Sequence, residues 1–323
     1  MNARRGHIAN ETTARKDSPC CQRALFFNYS IDCELPPDGR FGGPASWADA
    51  EVSTRGFVSV MEQLGLRQAA TLFVYPDVAR HQRALFRGMA DSGIEVALHL
   101  HGMRYSRAKE AAWLGSLSRG AQKEIIGAAK RDLEDTLGQS VLGYRACYAS
   151  ANDDTFPICD ELGFAWASTS APGTYKPENY ECWAGCWPFP YHPSAKNKLV
   201  PGSLRIYEMP VTRGIRVLHE GNPDRPLDMR CETPPEIAGP GGETFRRIIE
   251  ENLLEMERRA QPVRMIAGAS HNTNPYADAA SYQHRNLRFV CEQARACGAA
   301  RGYEFIPASF LQVLREAERV AAF

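Results

Sequence analysis

Two histidines one residue apart, His99 and His101, are the side chains of this sequence best placed to do chemistry together. They lie at the end of the apolar run IEVALHL, which predicts a buried strand because it contains β-branched residues and follows an Asp-Ser-Gly turn. Side chains two apart on a strand point to the same face, so the pair faces one side at the strand's carboxyl end. In the alternative, one histidine belongs to the core and the other to the rim.

Three other predicted strands also end on polar side chains. These are Asp32 with Glu34 after RALFFNYSID, Arg145 with Tyr148 in SVLGYRACY, and His271 with Asn272 after VRMIAGAS. The carboxyl ends of all strands meet at one face of a parallel barrel, so these groups can converge although they are far apart in sequence. Four such sets together predict an active site.

Each group also has a structural explanation that would leave it outside an active site. Asp32 and Glu34 could cap a helix, although two prolines follow directly and no helix is predicted there. Arg145 could form a surface ion pair with a nearby aspartate. The neighbours of His271 could cap the next helix, but an imidazole at the end of an apolar strand is costly without a partner.

Strand and helix patterns alternate along most of the chain, which predicts a parallel sheet. Strands are predicted over 23–32, 69–75, 94–100, 140–148, 164–168, 263–270 and 303–306, and helices over 47–64, 76–93, 120–137, 152–162, 244–259, 277–299 and 308–320. We therefore predict an α/β fold, a distorted (β/α) barrel. Residues 1–22 are predicted to be a flexible tail and 23–323 a single domain.

The alternation stops over residues 174–242, which are rich in Pro, Trp and Tyr and contain one predicted strand, 206–212. A loop that long inside a compact domain typically forms a lid or a substrate wall, so we predict a lid-like insertion. Its side chains Trp183, Trp187, Tyr191 and His192 could contact a sugar, and His192 could also bind a metal. The alternative is that these aromatic residues form a small core of the insertion itself.

Composition excludes several classes of partner. The chain has 38 basic and 38 acidic side chains, a formal net charge of +0, and so gives no electrostatic basis for binding nucleic acid or an anionic membrane. The first residues include basic side chains but no apolar segment that would predict a secretory signal, so a cytoplasmic location is expected. The ten cysteines are then expected to be reduced. The sequence contains no CxxC pair, so a zinc ribbon is not expected.

The residue types at the strand ends predict metal-assisted hydrolysis. Carboxylate and imidazole ligands together suit a zinc-like divalent ion with one open position for water. The ion lowers the pKa of that water and polarises a carbonyl, while a second carboxylate takes the proton. A further histidine can protonate the leaving group, and this set serves amide or ester hydrolysis.

The order of these motifs resembles that of the polysaccharide deacetylase (NodB-homology) family, carbohydrate esterase family four, from about residue 23 to 320. The segments SIDCE, EVALH, YRACY and IAGASH are similar to the family's four motifs. The resemblance implies that Asp32 is the catalytic base and Glu34 a metal ligand. It also implies that His99 binds metal, that Arg145 orients the catalytic acid and that His271 is the general acid.

One departure from the family concerns the metal. The family's second metal histidine stands four residues after the first, where this chain has Met103, so His101 is expected to take over, with His192 as the other candidate. We predict a divalent metal, zinc before cobalt or nickel, held by Glu34, His99 and His101. Tyr148, Trp183, His192 and Asn272 are predicted to contact substrate.

The predicted function is a metal-dependent hydrolase that removes an N-acyl group, most simply acetyl, from a small glycoside or another amide metabolite. One alternative is a metal-independent hydrolase of a cyclic amide or ureide, because some relatives with altered motifs act without metal. Another is a non-catalytic carbohydrate-binding relative. Neither nucleic acid nor a membrane is expected as a partner, and the sequence does not predict the oligomeric state.

Overall fold

The structure, a computed structural model, describes residues 23–39, 41–109 and 111–321, so the predicted tail 1–22 lies outside the described residues. The strands are β1 Ala24–Cys33, β2 Ala70–Val74, β3 Glu95–Leu100, β4 Gly143–Ala146, β5 Trp166–Ala167, β6 Tyr175–Lys176, β7 Glu181–Cys182, β8 Tyr207–Glu208, β9 Arg213–Leu218, β10 Pro226–Asp228, β11 Met265–His271 and β12 Glu304–Pro307. The helices are α1 Trp47–Gln63, α2 Pro76–His81, α3 Arg83–Asp91, α4 Arg119–Leu137, α5 Thr155–Glu161, α6 Pro235–Ala238, α7 Glu243–Arg258, α8 Tyr282–Ala300 and α9 Phe310–Ala321.

Eight of these strands form one parallel sheet in the order β11-β1-β2-β3-β4-β5-β8, with β12 also paired to β1. After β8, the backbone N–H of Thr212 donates to the carbonyl of Ala267 in β11 at 2.9 Å. This contact brings the two ends of the sheet together and curls it into a distorted barrel. The carboxyl ends of the strands therefore face one common opening, as the alternation of strands and helices predicts.

Burial on both faces explains the composition of the central strands. Every residue of β1 except Asp32 is buried, because barrel side chains cover one face and helices the other. Gly143 permits the close approach of β4 to β5, since a Cβ atom there would lie 2.1 Å from the Trp166 indole. Gly138 ends α4 in the left-handed conformation, with φ +76°, that glycine adopts without strain.

Two predicted helices differ from the structure. The helix predicted over 76–93 is two helices, α2 and α3, because Gln82 leaves helical geometry (φ −110°, ψ 41°) and its side chain donates to the Trp47 carbonyl at 2.7 Å. The helix predicted from 277 begins at Tyr282, where the Ser281 hydroxyl caps it by accepting from the N–H of His284. The hydrophobic period does not report such local hydrogen bonds.

The segment 174–242 is more regular than its composition predicts. The strand predicted over 206–212 is the two-residue β8, which belongs to the main sheet, and a separate strand, β9, follows it. Two antiparallel hairpins, β6-β7 and β9-β10, occupy much of the remainder. Within the residues that the structure describes, no helix combines the length and the apolar character that a bilayer crossing requires.

Candidate active site

The registers of the parallel strands bring the chemically capable side chains together. Asp32 on β1 pairs with His271 on β11, and His99 on β3 pairs with Arg145 on β4. His101 follows β3 directly. All of these positions are at the carboxyl ends of their strands, so the fold places side chains from four separate sequence segments around one opening.

Four buried donor atoms form a compact group at this opening. Nε2 of His99 lies 3.0 Å and Nε2 of His101 lies 2.8 Å from Oε1 of Glu34. The Cys147 sulfur lies 3.8 Å from the same oxygen. The ligand atoms of these four residues all lie within 4.8 Å of one another. We call Glu34, His99, His101 and Cys147 the donor cluster.

The chemistry of the donor cluster fits a divalent metal. Burial lowers the pKa of His101, although Glu34 opposes this, so the imidazole is favoured in its neutral ligand form. Burial alone would raise the pKa of Glu34, but His101 and then His99 hold it well below its usual range. Oε2 of Glu34 is buried and, among the described residues, accepts no hydrogen bond. An ionised carboxylate beside imidazole nitrogens is a suitable ligand set for a zinc-like ion.

A cation of the protein also lies near this carboxylate. Nη1 of Arg104 is 3.7 Å from Oε2 of Glu34, and its Nη2 donates to the carbonyl of Pro36 at 2.8 Å. The side chain of Arg104 is almost fully buried. Arg104 therefore provides partial charge compensation for Glu34 that does not depend on a metal.

Asp32 is held beside the donor cluster by Arg145. Nη1 of Arg145 donates to Oδ1 of Asp32 at 2.8 Å and to the Ser30 hydroxyl at 2.9 Å, while Nε donates to the Ser168 carbonyl at 2.8 Å. Burial alone would raise the pKa of Asp32, but His99, then Arg145 and His271, hold it below its usual value. The carboxylate is thus ionised and its second oxygen, Oδ2, lies 3.9 Å from Nε2 of His99.

His271 has a carboxylate partner that the sequence did not predict. Its Nδ1 lies 2.7 Å from Oε1 of Glu232, whose other oxygen accepts from the Ser270 hydroxyl and, at 3.2 Å, from Asn274. Burial lowers the pKa of His271, but the hydrogen bond and charge of Glu232 outweigh it and raise the pKa to about 9. His271 is therefore protonated near neutral pH, and a third of its side chain is exposed.

Tyr148 and Asn272 are close to this centre in different ways. Tyr148 lines the cavity in front of it, is 43% exposed, and has a φ of +52°, followed by Ala149 with a φ of +49°. Two consecutive non-glycine residues in this conformation store strain of about 1–3 kcal/mol each, a feature that clusters at functional sites. Asn272 is buried and accepts from the backbone N–H of Glu34 at 2.9 Å, so it fixes the loop that carries a donor.

Trp183 and His192 lie apart from the cavity. Trp183 is fully buried, packs against Phe156 and donates from its indole to the Ala149 carbonyl at 2.8 Å. His192 packs against Tyr207, and its Nδ1 lies 3.2 Å from the Ile206 carbonyl. Trp183 thus belongs to the main hydrophobic core rather than to the cavity, and the ring of His192 is engaged away from the donor cluster.

A cavity of about 410 Å³ opens in front of these groups. Asp32, Glu34, His101, Arg145 and His271 line one side of it. Residues of the segment 174–242 line the opposite side, among them Lys176, Glu181, Arg213, Asp228 and Arg230. The cavity is large enough for a small ligand, and it joins the strand ends to the irregular segment.

Three side chains of the site were missed from sequence: Cys147, Arg104 and Glu232. Cys147 had a usable signal, because it stands two residues after Arg145 at a strand end. Arg104 lies in the loop after His101. Glu232 follows a long segment without periodicity, so nothing local indicates that it approaches His271, 39 residues later.

Together, these contacts define a hydrolase-like centre of a (β/α) barrel: an ionised carboxylate held by arginine, a cluster of metal-type donors and a protonated histidine. The family model for polysaccharide deacetylases matches residues 43–167. This match includes the segments that carry His99, His101 and Arg145. It confirms the predicted resemblance to the deacetylases and the predicted class of enzyme, a deacetylase-like hydrolase of amide bonds.

Solved structures are similar over nearly the whole chain. A Mycobacterium smegmatis protein described as a polysaccharide deacetylase is 18% identical with a TM-score of 0.57, covering 93% of this chain and 91% of that one. PuuE allantoinase is 13% identical with a TM-score of 0.59, covering 94% and 93%. A Pseudomonas aeruginosa PAO1 protein described as a polysaccharide deacetylase is 15% identical with a TM-score of 0.55, covering 94% and 93%.

At these identities the likeness shows the fold alone, and it confirms the predicted NodB-type barrel class. No curated protein sequence matches the chain.

Proposed function

We propose that this protein is a metal-dependent hydrolase that removes an N-acyl group, acetyl in the simplest case, from a small amide substrate. The observation that carries the proposal is the convergence of the Asp32–Arg145 pair, the donor cluster and the Glu232–His271 pair around one cavity. The match of residues 43–167 to the polysaccharide deacetylases supports the same reaction.

Each charged side chain has a role that follows from its contacts. Asp32, kept ionised by Arg145, accepts the proton of the attacking water. His271, kept protonated by Glu232, donates a proton to the departing amine nitrogen. Arg145 and Glu232 are assigned as positioning residues, because each acts through a proton-transferring group, Arg145 through its hydrogen bond to Asp32 and Glu232 through its contact with His271.

Glu34, His99 and His101 would hold the metal, with the Cys147 sulfur as a further donor, and the water would then need an additional position, which catalytic zinc sites can provide. A bound divalent metal supplies Lewis acidity, which polarises the amide carbonyl and acidifies water. Zinc suits this mixture of carboxylate, imidazole and thiol better than magnesium or calcium, which prefer oxygen ligands. His101 then takes the place that Met103 leaves without a ligand.

The segment 174–242 is proposed to wall the cavity and select the substrate, within a single catalytic domain over 23–323. Lys176, Arg213 and Arg230 from this segment face the same cavity as the strand ends. A cavity of about 410 Å³ suits a small glycoside or another N-acylated metabolite better than a long polymer.

Acetate release tests the proposal. Zinc-loaded protein is incubated with small N-acetylated compounds, including N-acetylglucosamine and N-acetylated amino acids, and acetate is measured by NMR. We expect equal amounts of acetate and free amine from at least one compound, and strongly reduced release by the His271→Gln variant. Equal release by the wild-type and His271→Gln proteins would contradict the assignment.

One contact supports a second candidate, a metal-independent hydrolase of a cyclic amide or ureide. The Arg104 guanidinium lies 3.7 Å from Glu34 and compensates part of its charge without a metal. An allantoinase shares this fold. For this candidate, chelator-treated protein is expected to open a cyclic ureide such as allantoin at the rate of the untreated protein. Loss of that activity on chelation would reject it.

A further inference from the structure

A second cavity of about 220 Å³, lined by residues of the segment 174–242, adjoins the cavity at the strand ends. Four residues line both cavities and form their common wall: Lys176, Arg213, Asp228 and Arg230. The side chains of this wall therefore border both the space in front of Asp32 and His271 and the second cavity. We call the 220 Å³ space the side chamber.

Basic side chains outnumber carboxylates in the side chamber. Lining it are Lys176, Arg213, Arg225 and Arg230, together with the two carboxylates Asp228 and Glu232. Glu232 is already engaged by His271 at 2.7 Å. Among the described residues, Lys176 pairs with Glu181 and Arg230 with Asp228, which leaves Arg213 and Arg225 without a carboxylate of their own, so the chamber carries an excess of positive charge although the chain as a whole is neutral.

The ion pairs within the common wall are of unequal quality. Arg230 binds Asp228 tightly, with Nη2 at 2.6 Å from Oδ2 and Nε at 2.8 Å from Oδ1. Nζ of Lys176 donates to Glu181 at 3.0 Å. These short contacts fit ordinary local ion pairs, one across the hairpin β6-β7 and one at the end of β10.

Arg213 differs from Arg230 and Lys176 because its guanidinium makes only long contacts. Its Nη2 lies 3.4 Å from Asp228 and 4.0 Å from Glu181, and its Nη1 lies 3.5 Å from the carbonyl of Pro226, all longer than a good hydrogen bond. Its Nε is buried and, within the described part of the chain, has no hydrogen-bond partner. The side chain is only 12% exposed, so this donor capacity is kept out of bulk water.

We propose that the side chamber binds an anionic group of the substrate, a carboxylate or a phosphate, with Arg213 as its principal ligand and Arg225 as a secondary one. A planar guanidinium presents donors in a fork that matches either anion. This inference rests on the proposed function and narrows its substrate class to N-acylated compounds that carry a negative charge away from the scissile amide.

Three sugars that share the acetamido group test the inference. N-acetylglucosamine is neutral, N-acetylmuramic acid adds a carboxylate and N-acetylglucosamine 6-phosphate adds a phosphate. Binding to the Asp32→Asn protein is measured by calorimetry, independently of turnover, and kcat/KM is measured with the wild type. We expect at least one anionic sugar to bind ~10–100-fold more tightly than the neutral one, as charge-assisted hydrogen bonds typically allow.

Variants locate the effect. Arg213→Gln is expected to lower the affinity of the preferred anionic sugar ~10–100-fold through KM, and to change the neutral sugar less than about twofold. Arg225 is exposed, so Arg225→Gln is expected to lower the affinity for the same anionic sugar by only about 2–5-fold. Arg216 is an exposed residue of β9, the strand of Arg213, and does not line the chamber. Arg216→Gln removes an equal charge and is expected to change the affinity for neither the anionic nor the neutral sugar.

Equal binding of the three sugars to the Asp32→Asn protein would overturn the inference. So would an Arg216→Gln effect as large as those of Arg213→Gln and Arg225→Gln, because the selectivity would then reflect net charge alone. If an anionic sugar binds selectively but no N-acetyl compound is cleaved by the zinc-loaded wild type, the proposed function fails while the anion site stands.

Discussion

The donor cluster lies at the cavity of the strand ends and the side chamber adjoins that cavity, but the two are built in different ways. Glu34, His99, His101 and Cys147 stand at or just after the ends of parallel strands whose backbones are fixed by neighbours on both sides. The side chamber is built from two short hairpins and loops, with local ion pairs such as that of Arg230 with Asp228.

This difference separates the reaction from the selection of its substrate. Strand ends in a parallel barrel hold side chains in fixed relative positions, which proton transfer and metal binding require. Loops and hairpins tolerate substitution and insertion, so they can change the ligand without disturbing the reacting groups. Substitutions at the strand ends should therefore affect every substrate, whereas those in the chamber should affect substrates selectively.

The largest effect is expected for Asp32→Asn. An amide in place of the carboxylate keeps the shape but cannot accept a proton, so kcat should fall ~10²–10⁴-fold for every substrate. Steady-state kinetics with the substrate identified by acetate release measures it. Asp135→Asn, at an exposed position of α4, is the matched control and should behave as wild type. Full activity of Asp32→Asn would remove Asp32 from the mechanism.

Cys147→Ser tests whether the thiol belongs to the donor cluster. Cobalt-loaded wild type should show a near-ultraviolet thiolate-to-cobalt charge-transfer band that the variant lacks, and zinc affinity should fall by about tenfold or more, equivalent to ~1.4 kcal/mol. Absorption spectroscopy and competition with a chelator measure the two quantities. Cys182→Ser, outside the cluster, is the control. Identical cobalt spectra in wild type and Cys147→Ser would exclude a thiol ligand.

Glu232→Gln should shift the pH dependence of the reaction. The pKa of His271 is raised to about 9 by Glu232, so the protonated acid persists in the wild type until the pH passes through that value. Without the negative charge, burial dominates, and the alkaline limb of kcat/KM should move to lower pH, toward or below the ordinary histidine pKa of about 6.5. Glu232→Asp keeps the negative charge and should therefore keep part of the raised pKa of His271. An unchanged alkaline limb in Glu232→Gln would contradict the pairing.

The smallest effect on activity is expected for Trp183→Phe. The indole is buried and donates to the Ala149 carbonyl, so the variant should lose ~1–3 kcal/mol of unfolding free energy. Its KM should stay within about twofold of wild type, because Trp183 does not line the cavity. Chemical denaturation and kinetics measure the two. A large rise in KM with unchanged stability would return Trp183 to the substrate site.

The same contrast explains what could be predicted from sequence. The strands of the barrel are apolar runs with clear ends, so the pattern predicts that Asp32, His99, Arg145 and His271 meet, and the strand registers show how. Side-chain spacing on β3 is enough to direct His99 and His101 to the same carboxylate.

The irregular segment offered no such pattern. Glu232 reaches His271, and Arg213 reaches the cavity wall, through the path of loops and short hairpins that hydrophobic periodicity does not encode. The residue type of Trp183 predicts a substrate contact, yet its indole packs in the main hydrophobic core. The break between α2 and α3 at Gln82 has a similar origin, since it coincides with a single side-chain hydrogen bond to the Trp47 carbonyl.

Zinc titration of metal-free protein tests the central claim most directly. Chelator-treated protein is assayed for acetate release while zinc is added in known amounts, with the Glu34→Gln protein in parallel. We expect negligible activity without metal, recovery that reaches its plateau at about one zinc per chain, and no recovery in the variant. Full activity of the metal-free wild type would contradict it and favour the metal-independent alternative.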